Sequence, residues 1–317
     1  MLQYDLIIIG GGASGLSAGV SALRNGIKKV LILERENDLG GNLNLFIHMG
    51  FGRYYLEKDV TGPELSSKLI KEYKALGGVY KVNTEVLEVT KNKVISYVNP
   101  QNGIQEIKTS SIILASGRRE RFTGNINMPV HKYTGIFTLA SAHRLINLQG
   151  FLPGKEIVII GNNNWSLIIA RRLLIEGARV NAIIDDSRNG FLDENGIKFI
   201  EGFNIDIIKN CNVLELYGNE RIESIDIENL EDGSIKNIGC DSLILTVGYY
   251  PEISFMKKTN ILLEENNIPL VKNYETSING IFACGTLLTG DKGILNSGEN
   301  GYEVGKIVSE YIKKYMY

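Results

Sequence analysis

The chain has 317 residues, 44% hydrophobic and 22% charged, with a formal net charge of −2. That length leaves room for two domains, the balance is that of a globular protein, and nothing in the charge is built for nucleic acid or an anionic membrane. No apolar run reaches the roughly 20 residues that span a bilayer, and the N-terminus enters a strand almost at once. No secretory leader is therefore expected, and the chain reads as cytoplasmic.

The first predicted strand is Leu6-Ile7-Ile8-Ile9, and it runs into Gly10-Gly11-Gly12-Ala13-Ser14-Gly15, a full GxGxxG. A helical stretch leads to Gly26, and a second strand, Val30-Leu31-Ile32-Leu33, ends on Glu34. Strand, glycine turn, helix, strand and acid in this order make a dinucleotide-binding unit. The first Gly makes the turn, the second lets backbone approach a pyrophosphate, and the third lets helix pack on strand. The helix N-terminus faces the phosphates and the acid takes a ribose hydroxyl. Next comes the turn Gly40-Gly41-Asn42-Leu43. Thr61-Gly62-Pro63-Glu64 then forms a capping box for a helix to about Leu76, stopped by Gly77-Gly78. Val86–Val89 and Val94–Val98 read as strands around a turn at Lys91-Asn92. Ile112-Ile113-Leu114-Ala115-Ser116-Gly117 is a strand ending in a small-residue turn.

The pattern then repeats. Ile157–Ile160 precedes Gly161-Asn162-Asn163-Asn164-Trp165-Ser166, and Val180–Ile184 ends on Asp185. Gly10 to Glu34 and Gly161 to Asp185 both span 24 residues, and Gly10 to Gly26 and Gly161 to Gly177 both span 16. The second copy is damaged, with Asn163 in place of the second Gly and Ser166 in place of the third. The Asn163 side chain fills space that a pyrophosphate would use, so a working site and a structural relic both stay open. Tyr217–Ile227 repeats the paired strands, and Leu243-Ile244-Leu245-Thr246-Val247-Gly248 is the counterpart of the turn ending at Gly117.

The fold class is therefore α/β, with two doubly wound Rossmann-like domains of three layers, the second inserted in the first. Residues 1–120 and 249–317 form one domain and 121–248 the other, with Pro129 and Pro153 at the entry to the insert. Cys211, Cys240 and Cys284 lie far apart, with no CxxC and no metal spacing, and read as core residues. There is no Ser/His/Asp set, no carboxylate pair and no metal cluster, so no metal is expected.

Together these residues resemble the two-dinucleotide-binding flavoprotein superfamily, in its thioredoxin-reductase-like branch. The likeness rests on Gly10–Gly15 with Glu34, on Gly40–Leu43, on Ala115-Ser116-Gly117, and on Gly280-Ile281-Phe282-Ala283-Cys284-Gly285. Three stretches are similar to FAD-dependent subunits of glycerol-3-phosphate, opine and sarcosine dehydrogenase systems, which lack the redox CxxC. They are Ile47–Gly52, Thr61–Glu64, and Gly135–Thr138 through Arg144–Asn147.

The resemblance implies FAD in the first unit. Gly10, Gly12, Ala13, Ser14 and Gly15 would hold its pyrophosphate. Glu34, with Arg35 beside it, would take the adenosine ribose, and Val86 would meet the adenine through its backbone. Gly41, Asn42, Leu43, Ala115, Ser116 and Gly117 would line the cofactor, and Gly285 and Thr286 would approach the ribityl chain. The superfamily usually has Asp where this chain has Thr286, and Asp291 is the nearby substitute. Asn296 or Ser297 would cap a last helix that points at the flavin. In the second unit, Gly161, Asn163, Asp185 and Gly248 are the nicotinamide-nucleotide candidates. Asp185 favours NADH over NADPH, because a carboxylate repels a 2′-phosphate, and Arg188 is the residue that would blunt this.

His48 is the candidate for proton work, against the competing reading of a partly buried, hydrogen-bonded histidine. His131 and His143 read as structural. Arg118, Arg119 and Arg121 are expected to pair with acids or with a partner. Trp165 is expected to close the nucleotide groove or to pack against the adjoining domain. Two functions follow. One is an FAD-dependent oxidoreductase moving a hydride between a nicotinamide nucleotide and FAD, with electrons passed to a separate acceptor. The other is an FAD-carrying electron-transfer or assembly subunit with a dead second site. A partner dehydrogenase or electron-acceptor subunit and a homo-oligomer are both left open.

Overall fold

The computed structural model describes residues 4–122, 129–185, 200–290 and 295–316. The chain divides into two compact units, residues 1–119 with 250–317 and residues 120–249.

The first unit begins with β1 (Tyr4–Ile9), α1 (Ala13–Arg24), β2 (Val30–Leu33), a single turn α2 (Arg53–Leu56) and α3 (Gly62–Ala75). The capping box at Thr61 is formed: the Thr61 hydroxyl accepts from the Glu64 amide, and the Glu64 carboxylate accepts from the Thr61 amide. β3 (Val79–Lys81), β4 (Glu85–Val89), β5 (Val94–Asn99) and β6 (Gly103–Leu114) follow. β6 serves two layers. Its first half pairs antiparallel with β5, and its second half pairs parallel with β1. β7 (Arg118–Glu120) carries the chain out of the unit.

The second unit contains β8 (Ile136–Thr138), α4 (Leu139–Gln149), β9 (Glu156–Ile160), α5 (Asn164–Ile175), β10 (Arg179–Ile184) and β11 (Ile207–Ile208). The meander β12 (Cys211–Gly218), β13 (Ile222–Asn229) and β14 (Ile235–Gly239) precedes β15 (Ser242–Leu245). Its sheet has the order β11-β10-β9-β15-β8, parallel throughout. One face packs on α4 and α5, with Leu139, Ile146, Leu167 and Leu173 against Ile157, Ile159, Ile183 and Ile244. The other face carries Val158, Ile160, Ile184, Leu243 and Leu245 under the meander. This strict alternation is the period of two that a strand imposes when both faces are covered.

β16 (Tyr249–Pro251) returns the chain, and the first unit is completed by β17 (Val271–Lys272), β18 (Glu275–Thr276), β19 (Ile281–Ala283), α6 (Thr286–Thr289) and α7 (Ser297–Met316). Its sheet runs β17-β18-β19-β6-β1-β2-β3. Ile7, Ile9, Leu31 and Leu33 face the β4–β5–β6 layer. In both sheets the strand order reverses beside the strand that opens into a glycine turn, and there the carboxyl ends of the strands leave a crevice.

On the helical side of the first unit, α7 lies on α1 at backbone contact. A Cβ on Gly301 would run into the Ser14 carbonyl, and one on Gly305 into the Ala18 carbonyl. Overpacking of this kind costs about 1–3 kcal/mol. Gly301→Ala should therefore lower the melting temperature by several degrees, at about 2–4 °C per kcal/mol. Gly298→Ala should not, because its nearest neighbour would be the Ser17 hydroxyl at an ordinary 3.5 Å. Scanning calorimetry of both variants checks this, and equal melting points would refute the close approach.

Candidate functional site

The first glycine loop leaves β1 at Gly10, whose φ of +105° is the left-handed conformation that favours glycine. Gly15 is equally constrained, since a Cβ there would meet the Gly10 carbonyl. Gly12 is different. Its φ is −78°, which any residue adopts, and no atom lies within 4 Å of where its Cβ would stand. The protein itself does not need a glycine at this position. Gly12 precedes α1, and no side chain caps that helix. An open hollow at an uncapped helix N-terminus is what a pyrophosphate requires.

Gly40, Gly41, Glu34 and Gly285 lie against this loop. The Gly40 amide donates to the Gly11 carbonyl at 2.8 Å. Gly41 then comes so close that its Cβ would stand 3.0 Å from the Gly12 Cα. Asn42 is exposed and Leu43 buried in the short 3-10 turn Gly41–Leu45. Glu34 is 6% exposed; its carboxylate accepts from the Gly11 amide at 2.6 Å and the Glu36 amide at 2.9 Å. The acid is thereby fixed beside the loop. On the far side, Gly285 fits against Ser14, and the Gly117 Cβ position lies 3.4 Å from the Thr286 hydroxyl. Ala115 donates its amide to the Ile9 carbonyl and Ser116 its hydroxyl to the Glu252 carbonyl. Ser297 is buried at the start of α7. Val86 is half-buried on β4 at a bulge.

Two residues escape a reading of the sequence. Asn300, one turn into α7, accepts the Gly285 amide at 2.6 Å and so ties the last helix to the β19 turn. Glu252 is buried and holds Arg119 and, at 3.4 Å, Arg35, while the Ser254 hydroxyl donates to it at 2.7 Å. Neither lies in a motif, and only the fold brings them to the site. Arg119 thus pairs with an acid. Arg118 donates to the Thr286 carbonyl at 2.9 Å, and the Arg121 amide to the Gly248 carbonyl. Asp291 and Arg188 lie outside the described residues.

His48 lies beside Phe46 and Phe51, with ring centroids 5.7 and 5.2 Å away, and its Nδ1 meets the Met49 carbonyl at 2.8 Å. Burial holds its pKa below the usual histidine value. This is the packing of a partly buried aromatic ring. His143 is 2% exposed on α4, and His131 is exposed with its ring edge toward Phe122.

The second loop repeats the backbone of the first with different contents. Gly161 has a φ of +104°, and Gly248 closes the unit at the same angle. Asn163 caps α5: its Oδ1 accepts the Trp165 and Ser166 amides at 3.0 and 3.1 Å, and the Ser166 hydroxyl accepts the Asn163 amide at 2.8 Å. Asp185, at the end of β10, accepts from the Asn162 side-chain amide at 2.9 Å. Trp165 packs against the helical-side core of its own unit.

These contrasts make Gly12 the decisive position. Gly12→Ala should leave the far-ultraviolet dichroism of the flavin-free protein unchanged and lower its melting by no more than a few degrees, Ala being a poorer N-cap than Gly, while removing most of the bound flavin. The check is flavin absorbance per chain after purification. A fully yellow Gly12→Ala protein would show that the hollow is not filled.

The model of the pyridine nucleotide-disulphide oxidoreductase family matches residues 4–303. The F subunit of alkyl hydroperoxide reductase from Staphylococcus aureus is 23% identical over 293 residues, 89% of this chain and 54% of that protein. The chain therefore spans about half the length of that relative. The thioredoxin reductase of Borreliella burgdorferi is 24% identical over 286 residues, 89% of this chain and 83% of that protein. The structure of T. acidophilum thioredoxin reductase superposes with a TM-score of 0.82 at 22% identity, covering 98% of this chain and 99% of that one. The bacillithiol disulfide reductase Bdr of Staphylococcus aureus superposes with a TM-score of 0.75 at 21% identity over 100% of both chains. Such structural likeness establishes the shared two-domain Rossmann fold. Among the described residues no helix is long and apolar enough to cross a membrane. The chain belongs to the pyridine nucleotide-disulphide oxidoreductase family, whose chemistry is that of FAD and nicotinamide nucleotides.

Proposed function

We propose that the chain is an FAD-dependent oxidoreductase that moves a hydride between a nicotinamide nucleotide and FAD and passes the electrons to a separate acceptor or partner subunit. The observation that carries this reading is the hollow at Gly12, which the protein's own packing and backbone do not explain. FAD, when bound, supplies the electron transfer. The chain supplies position and field. Gly12, Ser14 and Gly15 would hold the pyrophosphate at the N-terminus of α1. Glu34 would accept from the ribose, since two backbone amides already fix its carboxylate. Thr286 offers a neutral hydroxyl where an acid would carry charge. Arg118 stands at its carbonyl.

The acceptor is proposed to be separate because the chain's own thiols are poorly suited to relay electrons. Cys211, Cys240 and Cys284 are free and buried. Burial pushes the pKa of Cys240 and of Cys284 up to about 12, and that of Cys211 upward. A relay needs an accessible thiolate. The same lack of a thiol pair supports the finer likeness to dehydrogenase-system subunits, and with it a partner dehydrogenase or acceptor. A homo-oligomer is compatible with this reading.

A second reading is an electron-transfer or assembly subunit whose second nucleotide site is closed. The capped N-terminus of α5 favours it. Anaerobic titration of the purified holoprotein with NADH and NADPH separates the two. Bleaching of the flavin band by about one equivalent of NADH supports the oxidoreductase. A band that only dithionite bleaches supports the alternative. Replacing all three cysteines with Ser or Ala should leave flavin reduction by NADH intact. Loss of turnover with flavin still bound would show that a cysteine carries the electrons onward and would overturn the separate-acceptor proposal.

A further inference from the structure

The two glycine loops differ at two positions that touch. Where the first unit has Gly12 and Ala115, the second has Asn163 and Thr246. The register is the same in both, since a Cβ on Gly10 would meet the Ala115 carbonyl and one on Gly161 the Thr246 carbonyl and hydroxyl. In the second unit the Asn163 Nδ2 donates to the Thr246 carbonyl at 3.1 Å and reaches the Thr246 hydroxyl at 3.2 Å. The Thr246 hydroxyl in turn reaches the Ile160 carbonyl at 2.9 Å. The Asn163 Oδ1 meanwhile takes the Trp165 and Ser166 amides, the donors that a phosphate would use. Every polar atom of the Asn163 carboxamide is thus engaged, and its socket is the Thr246 carbonyl together with a hydroxyl that the first unit lacks. A merely decayed loop would not supply the socket.

The ribose end is kept. Asp185 stands at the end of β10 where Glu34 stands at the end of β2. Asn162, 3% exposed, holds it through Nδ2 at 2.9 Å, as the Gly11 amide holds Glu34. The Oδ1 of the same carboxamide is buried and finds no donor among the described residues. An acceptor left in this state beside a carboxylate fits a ligand hydroxyl.

We propose that Asn163 and Thr246 form a plug and socket in the place of a dinucleotide pyrophosphate, leaving the second unit a nucleoside-type site built on Asp185 and Asn162. A dinucleotide must break the α5 cap to seat its phosphates, whereas a nucleoside need not. Asn163 therefore sets which nucleotides the unit accepts. The inference rests on reading the second unit as a nicotinamide-nucleotide fold, which NADH still enters, but only by displacing the cap and so with weakened affinity.

The test is anaerobic calorimetric titration of the holoprotein, its flavin first reduced with dithionite so that NADH only binds, with NADH and with adenosine, in wild type, Asn163→Gly, Asn163→Asp and Thr246→Ala. Gly is itself an accepted N-cap residue, and Asp caps as well as Asn, so both should fold; circular dichroism checks this. In wild type the dissociation constant for NADH should be no tighter than that for adenosine. In Asn163→Gly, NADH should bind at least about tenfold more tightly, the gain that two freed amide donors of ordinary net strength imply. Adenosine should be unchanged. Thr246→Ala should move NADH binding in the same direction by less, and Asn163→Asp should show no gain. Fluorescence of Trp165, the sole tryptophan and bonded to the plug through its amide, gives an independent readout of NADH. NADH binding to wild type tenfold tighter than adenosine, or an unchanged NADH affinity in Asn163→Gly, overturns the plug. Adenosine that binds to no variant overturns the nucleoside site. Flavin content measured in every variant keeps these failures distinct from failure of the FAD assignment.

Discussion

The candidate site depends on how closely the last helix approaches the first. α7 meets α1 at Gly301 and Gly305, where no side chain separates the two backbones. That approach brings residues from both ends of the chain around one loop. Gly285 seats against Ser14, and Asn300 fixes the Gly285 amide. Glycine is costly in a helix, about 1 kcal/mol each relative to Ala. Here the lost propensity is offset by contact along most of α1, where Ser14, Ser17, Ala18 and Ser21 present equally small side chains.

The two units then show what one backbone does with two sets of side chains. A helix N-terminus presents unpaired amide donors and a partial positive charge, and these are satisfied by a side chain or by a ligand. At α1 no side chain comes, and Gly12 leaves the space bare. At α5 the Asn163 carboxamide fills that role from within the chain. The acid beside each loop is held in the same way, by the residue after the first glycine. In one unit that residue lends its backbone amide and in the other its side-chain amide.

Much of this is readable from residue spacing. The strands that open each glycine motif are apolar on both faces, as buried parallel strands must be, so Ile7–Ile9 and Ile157–Ile160 identify themselves. Thr61 and Glu64 announce a helix start by chemistry that acts over three residues. Glu252 and Asn300 cannot be found this way. Glu252 meets Arg35 across 217 residues and Asn300 meets the Gly285 amide across 15, and neither pair recurs at a spacing that a local rule describes. Asn163 reads as an obstruction on volume alone. Its capping of Trp165 and Ser166 is local, but its socket on Thr246 lies 83 residues distant. Sequence reading recovers interactions set by the local backbone, and it loses those that only the closed sheet creates.

The divided layout of the first unit also bears on the order in which the chain can fold as it is made. Its sheet lacks β19, and its α1 lacks the partner that covers it, until residues beyond 281 have been synthesised. Among the described residues, 120–249 carry a parallel sheet, α4, α5 and a meander of their own. The strands of that sheet are therefore all made first, while the buried edge of β6, Ile112–Leu114, waits for a partner made only after the whole insert. Contacts of such sequence separation form slowly, and surfaces that wait for them are where a growing chain associates wrongly. The small, mostly hydroxyl-bearing face of α1, with Ser14, Ser17 and Ser21, is a surface that water tolerates during that wait.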